Sequence, residues 1–182
     1  MGKATKPKDI LEMLRGGDRR SIGRSEEVAQ IVSKNLGLFP RLMGGLWSED
    51  ELVRMRAADA AEKVSRTESQ LLQAYKKELL GLMAETEMQE VRWHLAAMVP
   101  RLKLNANERQ SARERLREYL QDKSSIVKTF ALEGLVELAG EDEEARLEVT
   151  EILREATRTG TAAMKARSRK LLAKMEKIDK GK

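Results

Sequence analysis

The residues best equipped for chemistry lie together in EVRWHLAAMVP, residues 90–100, which holds the only histidine, His94, beside one of two tryptophans, Trp93. Such a histidine could be a catalytic base or a metal ligand. A base needs partners within hydrogen-bond reach, and no nucleophile motif accompanies His94. A metal needs several ligands, and the chain has no second histidine and no cysteine to complete a site. The acidic run EDEE at 141–144 follows Gly140 and opens a helix, where carboxylates are favoured by unpaired N–H groups. GRSEE at 23–27 reads the same way, with Ser25 as a cap. No residue is therefore assigned to catalysis, to a cofactor or to a metal.

Two basic groups remain. GGDRRSIGRS, residues 16–25, carries Arg19, Arg20 and Arg24 among three glycines, and reads as a mobile joint without a core. KARSRK, residues 165–170, gives Lys165, Arg167, Arg169 and Lys170, a cluster without near carboxylates. Residues 1–24 carry a net charge of +4 and residues 161–182 of +6, so in a chain of +5 the body between them is −5. Basic ends can solubilise a protein or grip phosphates.

The elements that position these groups follow from composition. Hydrophobic residues make up 41% of 182 and aromatics only 3%, so a core must be built from Leu, Val, Ile, Met and Ala. That inventory, with three prolines, favours helices over a sandwich or barrel. The opening MGKATKPKDI has no apolar stretch after its lysines and is not a signal peptide. No segment approaches the apolar length of a membrane helix. The expectation is a cytoplasmic protein with no membrane partner.

A repeat runs along the chain. ELVRMRAADAA, EVRWHLAAMV, SIVKTFALEGL and AAMKARSRKLL place Val53-Arg54, Val91-Arg92, Val127-Lys128 and Met164-Lys165 at intervals of 38, 36 and 37 residues. A second type of helix precedes each: LFPRLMGGLW at 38–47, ESQLLQAYKKELLGLM at 68–83, NERQSARERLREYL at 107–120 and DEEARLEVTEILREA at 142–156. Asn107, Ser124 and Thr161 suit N-caps, Gly140 and Gly160 suit C-terminal ends, and Gly44 and Gly45 suit close packing. Superposing the second helices puts Arg56, His94, Phe130 and Arg167 in one column, and Met55, Trp93, Thr129 and Ala166 in the next. His94 and Trp93 thus occupy ordinary repeat positions.

This pattern resembles the HEAT repeat family, whose first helix carries L-x-P-x-L-x-x-L and whose second opens with D-x-x-V-R. LFPRLMGGLWSEDELVRMRAADAAEKV matches with Pro40, Leu42, Leu46, Asp50, Val53, Arg54, Ala57 and Ala61. The other three units match less fully, and the resemblance covers about 38–176. It implies an all-α, right-handed α-solenoid of about four helix pairs, with units at about 38–66, 68–100, 107–139 and 142–176. SEEVAQIVSKNLG would cap the first unit, giving a repeat domain over 25–176 between a basic segment at 1–24 and a basic tail at 177–182. In the family, the arginine after the valine pairs with a turn aspartate. That implies Arg54 with Asp50, Arg92 with Glu87 or Glu90, and Lys128 with Asp122.

The leading functional expectation is a non-enzymatic scaffold that binds a protein or peptide on the solenoid's concave face. Column position nominates Arg56, Asp59, Trp93, Ala97 and Glu133 for that contact. The alternative is nucleic-acid binding, with Arg19, Arg20, Arg24, Lys165, Arg167, Arg169 and Lys170 on phosphates. HEAT-like DNA glycosylases suggest an enzymatic variant, for which Trp93 and Asp59 are the nominees. No cofactor is expected.

Overall fold

The computed structural model describes residues 9–180, with side chains placed as far as residue 177. Residues 1–8 of the basic N-terminal segment and 181–182 of the basic tail lie outside the described residues. The described residues are all-α: nine α-helices and five short 3₁₀ segments, with no strand among them. The chain divides into two compact units, Met1–Leu71 and Leu72–Lys182.

The first unit opens on a 3₁₀ turn at Glu12–Leu14, then builds α1 (Ser25–Lys34), α2 (Phe39–Gly44) and α3 (Glu51–Ser65). Pro40 stands in the first turn of α2, where its missing N–H is not needed. Asp50 caps α3, its carboxylate accepting from the Leu52 N–H at 2.9 Å and the Val53 N–H at 3.4 Å. α3 lies inside the unit, packed by α1, by α2 and by the opening turn. Its sequence permits this, because Ala57, Ala58, Ala60 and Ala61 let neighbours approach on several sides and are all fully buried. Gly45 shares in that approach: a β-carbon there would stand 2.7 Å from the Ala57 methyl. Gly44, expected to do the same, meets nothing within 4 Å.

The segment ahead of α1 is docked on this unit. Ile10, Met13 and Leu14 are buried, and Asp9 holds the Arg41 guanidinium. That hydrogen bond keeps the Asp9 carboxyl below its ordinary range. Ser25 does not cap α1. It is the first residue of the helix, fully buried, with its hydroxyl donating to Asp59.

The second unit contains α4 (Lys76–Glu85), α5 (Gln89–Met98), α6 (Ala106–Tyr119), α7 (Ser125–Ala139), α8 (Glu143–Thr159) and α9 (Ala162–Lys180). The continuous helix expected over 68–83 divides into a 3₁₀ run at Ser69–Tyr75 and α4. The cap of α6 is Asn105 rather than Asn107, because Glu108 lies three residues after Asn105 and completes a reciprocal capping box. Ser124 caps α7, Asp142 caps α8, and the Thr161 hydroxyl accepts from the Met164 N–H as α9 begins.

α4, α6 and α8 each pair with the helix that follows, while α5, α7 and α9 pack successively against one another. α7 is the most enclosed, touching α5, α6, α8 and α9. Val127, Ala131, Leu132, Leu135 and Leu138 line its buried sides. Gly134 sets its distance from α5, since a β-carbon there would stand 2.8 Å from the Ala96 carbonyl oxygen. Each fully buried leucine, such as Leu95 or Leu116, contributes about 1.5–3 kcal/mol relative to exposure.

Candidate functional site

The basic position after each valine is where the repeat can be tested side chain by side chain. Val53, Val91 and Val127 are buried, which turns Arg54, Arg92 and Lys128 into half-buried neighbours at helix starts. Arg54 folds back to donate to the Ser48 carbonyl at 2.6 Å, and Arg92 does the same to the Thr86 carbonyl at 2.7 Å. In both, the acceptor lies six residues earlier, so one local geometry recurs in two repeats.

Two of the acidic partners, Asp50 and Asp122, differ from expectation. Asp50 caps α3 and lies 3.5 Å from Arg15. Asp122, expected opposite Lys128, instead accepts from Arg92 of the preceding helix pair at 2.7 Å. Glu87 joins Arg92 at 3.1 Å, as expected. The bridge therefore runs between helix pairs, from α5 to the turn before α7. Burial works against the Arg92 charge, but the Asp122 hydrogen bond and the charges of Glu87 and Asp122 prevail, and its pKa rises. Burial also opposes the Asp122 charge, yet the Ser124 N–H and Arg92 hold its pKa below the ordinary carboxylate value. The Arg92 guanidinium also sits 5.3 Å from the centre of the Tyr119 ring. The Tyr119 hydroxyl, pushed strongly upward by burial, donates to the Met83 carbonyl at 2.7 Å.

His94 lies on the inward side of α5, 2% exposed, with its ring stacked on Trp93 at 3.7 Å between centroids. Trp93 is half-buried and meets Phe130 of α7 at 5.1 Å, tilted by 47°. Ala97, one turn along α5, and Glu133, one turn along α7, are also half-buried. Glu133 holds Arg167 of α9 at 2.8 Å, and Glu137 holds Lys174 at 2.5 Å. Three of the five nominated contact residues, Trp93, Ala97 and Glu133, thus fall on neighbouring helices of the second unit. The aromatic pair is flanked there by an ion pair.

The other two belong to the first unit, and their side chains are committed inside it. Arg56 is 2% exposed, and its guanidinium donates to four carbonyls: Leu14 at 2.7 Å, Gly16 at 2.5 Å, Asp18 at 3.0 Å and Ser21 at 3.2 Å. As a contact residue on an open face, Arg56 is a correction: its donors face the chain's own backbone. The expected mobile joint is corrected with it. The side chains at 15–24 are exposed, but the backbone there is tied to Arg56. Asp59, also buried, accepts from Ser25 and from Lys63 at 2.8 Å, and Lys63 reaches Glu26 at 2.8 Å. Desolvation works to lower the Lys63 pKa, but the hydrogen bonds Lys63 donates to Asp59 and Glu26 outweigh it, and the pKa is raised. The carboxylate nominated for a glycosylase-like role is thus engaged, in a different unit from Trp93.

Of the nominated phosphate contacts, Arg19 pairs with Glu51 at 2.9 Å, Arg24 with Glu27 at 2.7 Å, and Arg167 with Glu133. The last corrects the reading of residues 165–170 as a cluster free of carboxylates. Arg20, Lys165, Arg169 and Lys170 make no ion pair among the described residues, and only Lys165 is half-buried rather than exposed. Among the described residues no group of three His, Cys, Asp or Glu could hold a metal, and no helix is long and apolar enough to cross a membrane.

Sequence reasoning missed the Arg56 clamp and the Tyr119 tie. An available signal for Arg56 was its setting directly before Ala57 and Ala58 in a run of small residues, where a helix has little exposed side. Comparison with known proteins finds no family model that matches this chain and no curated protein that matches it.

Proposed function

We propose that this chain is a short HEAT-like α-solenoid acting as a non-enzymatic scaffold in the cytoplasm, and that it binds a protein or peptide on the α5–α7–α9 face. The successive packing of α5, α7 and α9, each with its own hairpin partner, supports the solenoid reading. The observation that carries the binding reading is Trp93, half-buried against Phe130 with the Glu133–Arg167 pair nearby. An aromatic centre with a charged edge is the pattern of a recognition hot spot. Alternating charges on that face suit a polypeptide of mixed charge better than a polyanion.

Nucleic-acid binding is the second reading, favoured by Arg169 and Lys170, which stand exposed without ion pairs among the described residues. One experiment separates the two. A photo-crosslinking side chain at Ala97 should capture a polypeptide that the same probe at Leu147, exposed on α8, does not capture. Trp93→Ala should abolish the capture, since truncating such an anchor costs about 2 kcal/mol or more. Equal capture from both positions sinks the reading. Tight binding of duplex or single-stranded DNA at physiological salt, lost on Arg169→Glu with Lys170→Glu, puts the second reading in its place.

A further inference from the structure

The register that builds the Arg92–Asp122 bridge fails one step later, and a cleft stands where it fails. Six residues before the four basic positions come Ser48, Thr86, Asp122 and Thr159. Arg92 reaches forward to Asp122 of the next helix pair. For Lys128 the same step forward leads to Thr159, which carries no charge. Lys128 is half-buried and makes no ion pair among the described residues. Its charge acts on Asp122, but that carboxylate is already held by Arg92 and the Ser124 N–H.

The cleft around Lys128 measures about 600 Å³ and lies between the end of α6, the flanks of α7 and α8, and the turn into α9. Leu132, Ile152, Ala156 and Met164 give it an apolar wall. Gln121, Thr159 and Thr161 line it with exposed polar side chains. Glu151 and Glu155 also line it, each ion-paired along α8, with Arg154 and with Arg158.

We propose that this cleft binds the C-terminal residue of a peptide ending in an apolar side chain, with its carboxylate on Lys128 where an aspartate stands one rung earlier. Three features fix the ligand's chemistry. A single cation beside two glutamates accepts one negative charge and discourages a second. The apolar wall takes one side chain, and the volume falls in the range of small-ligand sites. The polar rim offers donors and acceptors to the amide groups of a preceding chain, which a free fatty acid lacks. The site is separate from the Trp93 face: Lys128 and Phe130 are two residues apart, roughly 200° around the helix. Failure of the scaffold reading would leave it standing.

The test uses the full chain, calorimetry and methyl NMR of Met164. The probes are acetyl-Gly-Ser-Ala-Leu with a free C-terminus, its C-terminal amide, and octanoate. The free-acid peptide should bind and shift the Met164 methyl signal, with the amide weaker by about tenfold or more for loss of a charge-assisted contact. Lys128→Met should abolish binding. Thr159→Asp supplies the missing acid from within, so it should also abolish binding while melting no lower than wild type, which keeps the test clear of misfolding. Equal binding of acid and amide overturns the proposal, as does unchanged affinity in Thr159→Asp or no binding at millimolar peptide. Octanoate binding as tightly as the peptide overturns the peptide assignment.

Discussion

Arg56→Met should loosen the first unit and release the segment ahead of α1. The substitution keeps most of the aliphatic stem and removes only the donors, so it isolates the hydrogen bonds. Four carbonyls lose their partner. The Leu14 carbonyl accepts in a buried bond, and leaving such an acceptor unsatisfied costs about 1–3 kcal/mol. Those of Gly16, Asp18 and Ser21 are only partly buried. They can turn to water, each forfeiting about 0.5–1 kcal/mol. Removing a buried charge returns part of that loss, because its desolvation no longer has to be offset. The net expectation is about 2–4 kcal/mol, a large share of the 5–15 kcal/mol, roughly, that holds a small domain together.

Arg56→Lys should fall between wild type and Arg56→Met, since three donors on a point charge cannot span four acceptors as the planar fork does. Urea unfolding followed by tryptophan fluorescence suits the test, because Trp47 belongs to the first unit and Trp93 to the second. A Trp93→Phe background restricts the signal to Trp47. Trypsin supplies the local readout at Arg19 and Arg20, which are exposed on the tied segment. Faster cleavage there, with a lower midpoint, is the expected result. An unchanged midpoint together with unchanged cleavage in Arg56→Met would refute the clamp.

Three further predictions concern the second unit. Asp122→Asn keeps an acceptor for the Ser124 N–H but loses the charge facing Arg92, and should cost about 1–3 kcal/mol near neutral pH. Because the folded pKa of Asp122 is lowered from 3.8, its contribution is complete above that value and fades as pH falls through the lower folded value. Wild-type and variant stabilities should therefore converge at the acid end of a urea-denaturation series, and a constant gap would contradict the bridge. Gly134→Ala presses a methyl against the Ala96 carbonyl and Leu116, so thermal melting should show a loss of about 1–3 kcal/mol; a neutral result would mean that α5 and α7 can move apart freely. Leu95→Asp buries a carboxylate at a position that is 0% exposed and should abolish cooperative melting of the second unit, as followed by circular dichroism.

The sequence carried the all-α class and several of the caps better than the surroundings of each repeat position. Ser124 and Thr161 cap as their types suggest, and the Asn107 expectation missed by two residues because Asn105 has the capping-box partner. His94 sits where an ordinary repeat position would put it, buried and stacked on its neighbour. Arg56 occupies the same column, and the period alone places it on an open face because it says which side chains are equivalent, not what covers them. The cover over Arg56 comes from residues 14–21, a stretch whose glycines and arginines show no hydrophobic periodicity. The partner of Asp122 was misplaced for a related reason. The HEAT resemblance implies Lys128 as that partner, while the fold brings Arg92 across from thirty residues away.

That last displacement separates structural from functional positions in a repeat. A bond from a basic side chain to the backbone at its own helix start, as Arg54 makes to Ser48 and Glu49 and Arg92 to Thr86, holds that start in place. A side chain answered by the following pair, as Arg92 is by Asp122, joins two pairs and is costly to change. Lys128 stands in the same register, yet the pair after it supplies Thr159 and no carboxylate. An external carboxylate arriving there would give Lys128 the partner that Asp122 gives Arg92. Recognition is therefore expected where the repeat is interrupted, and the rungs that complete themselves supply the rigid frame for it.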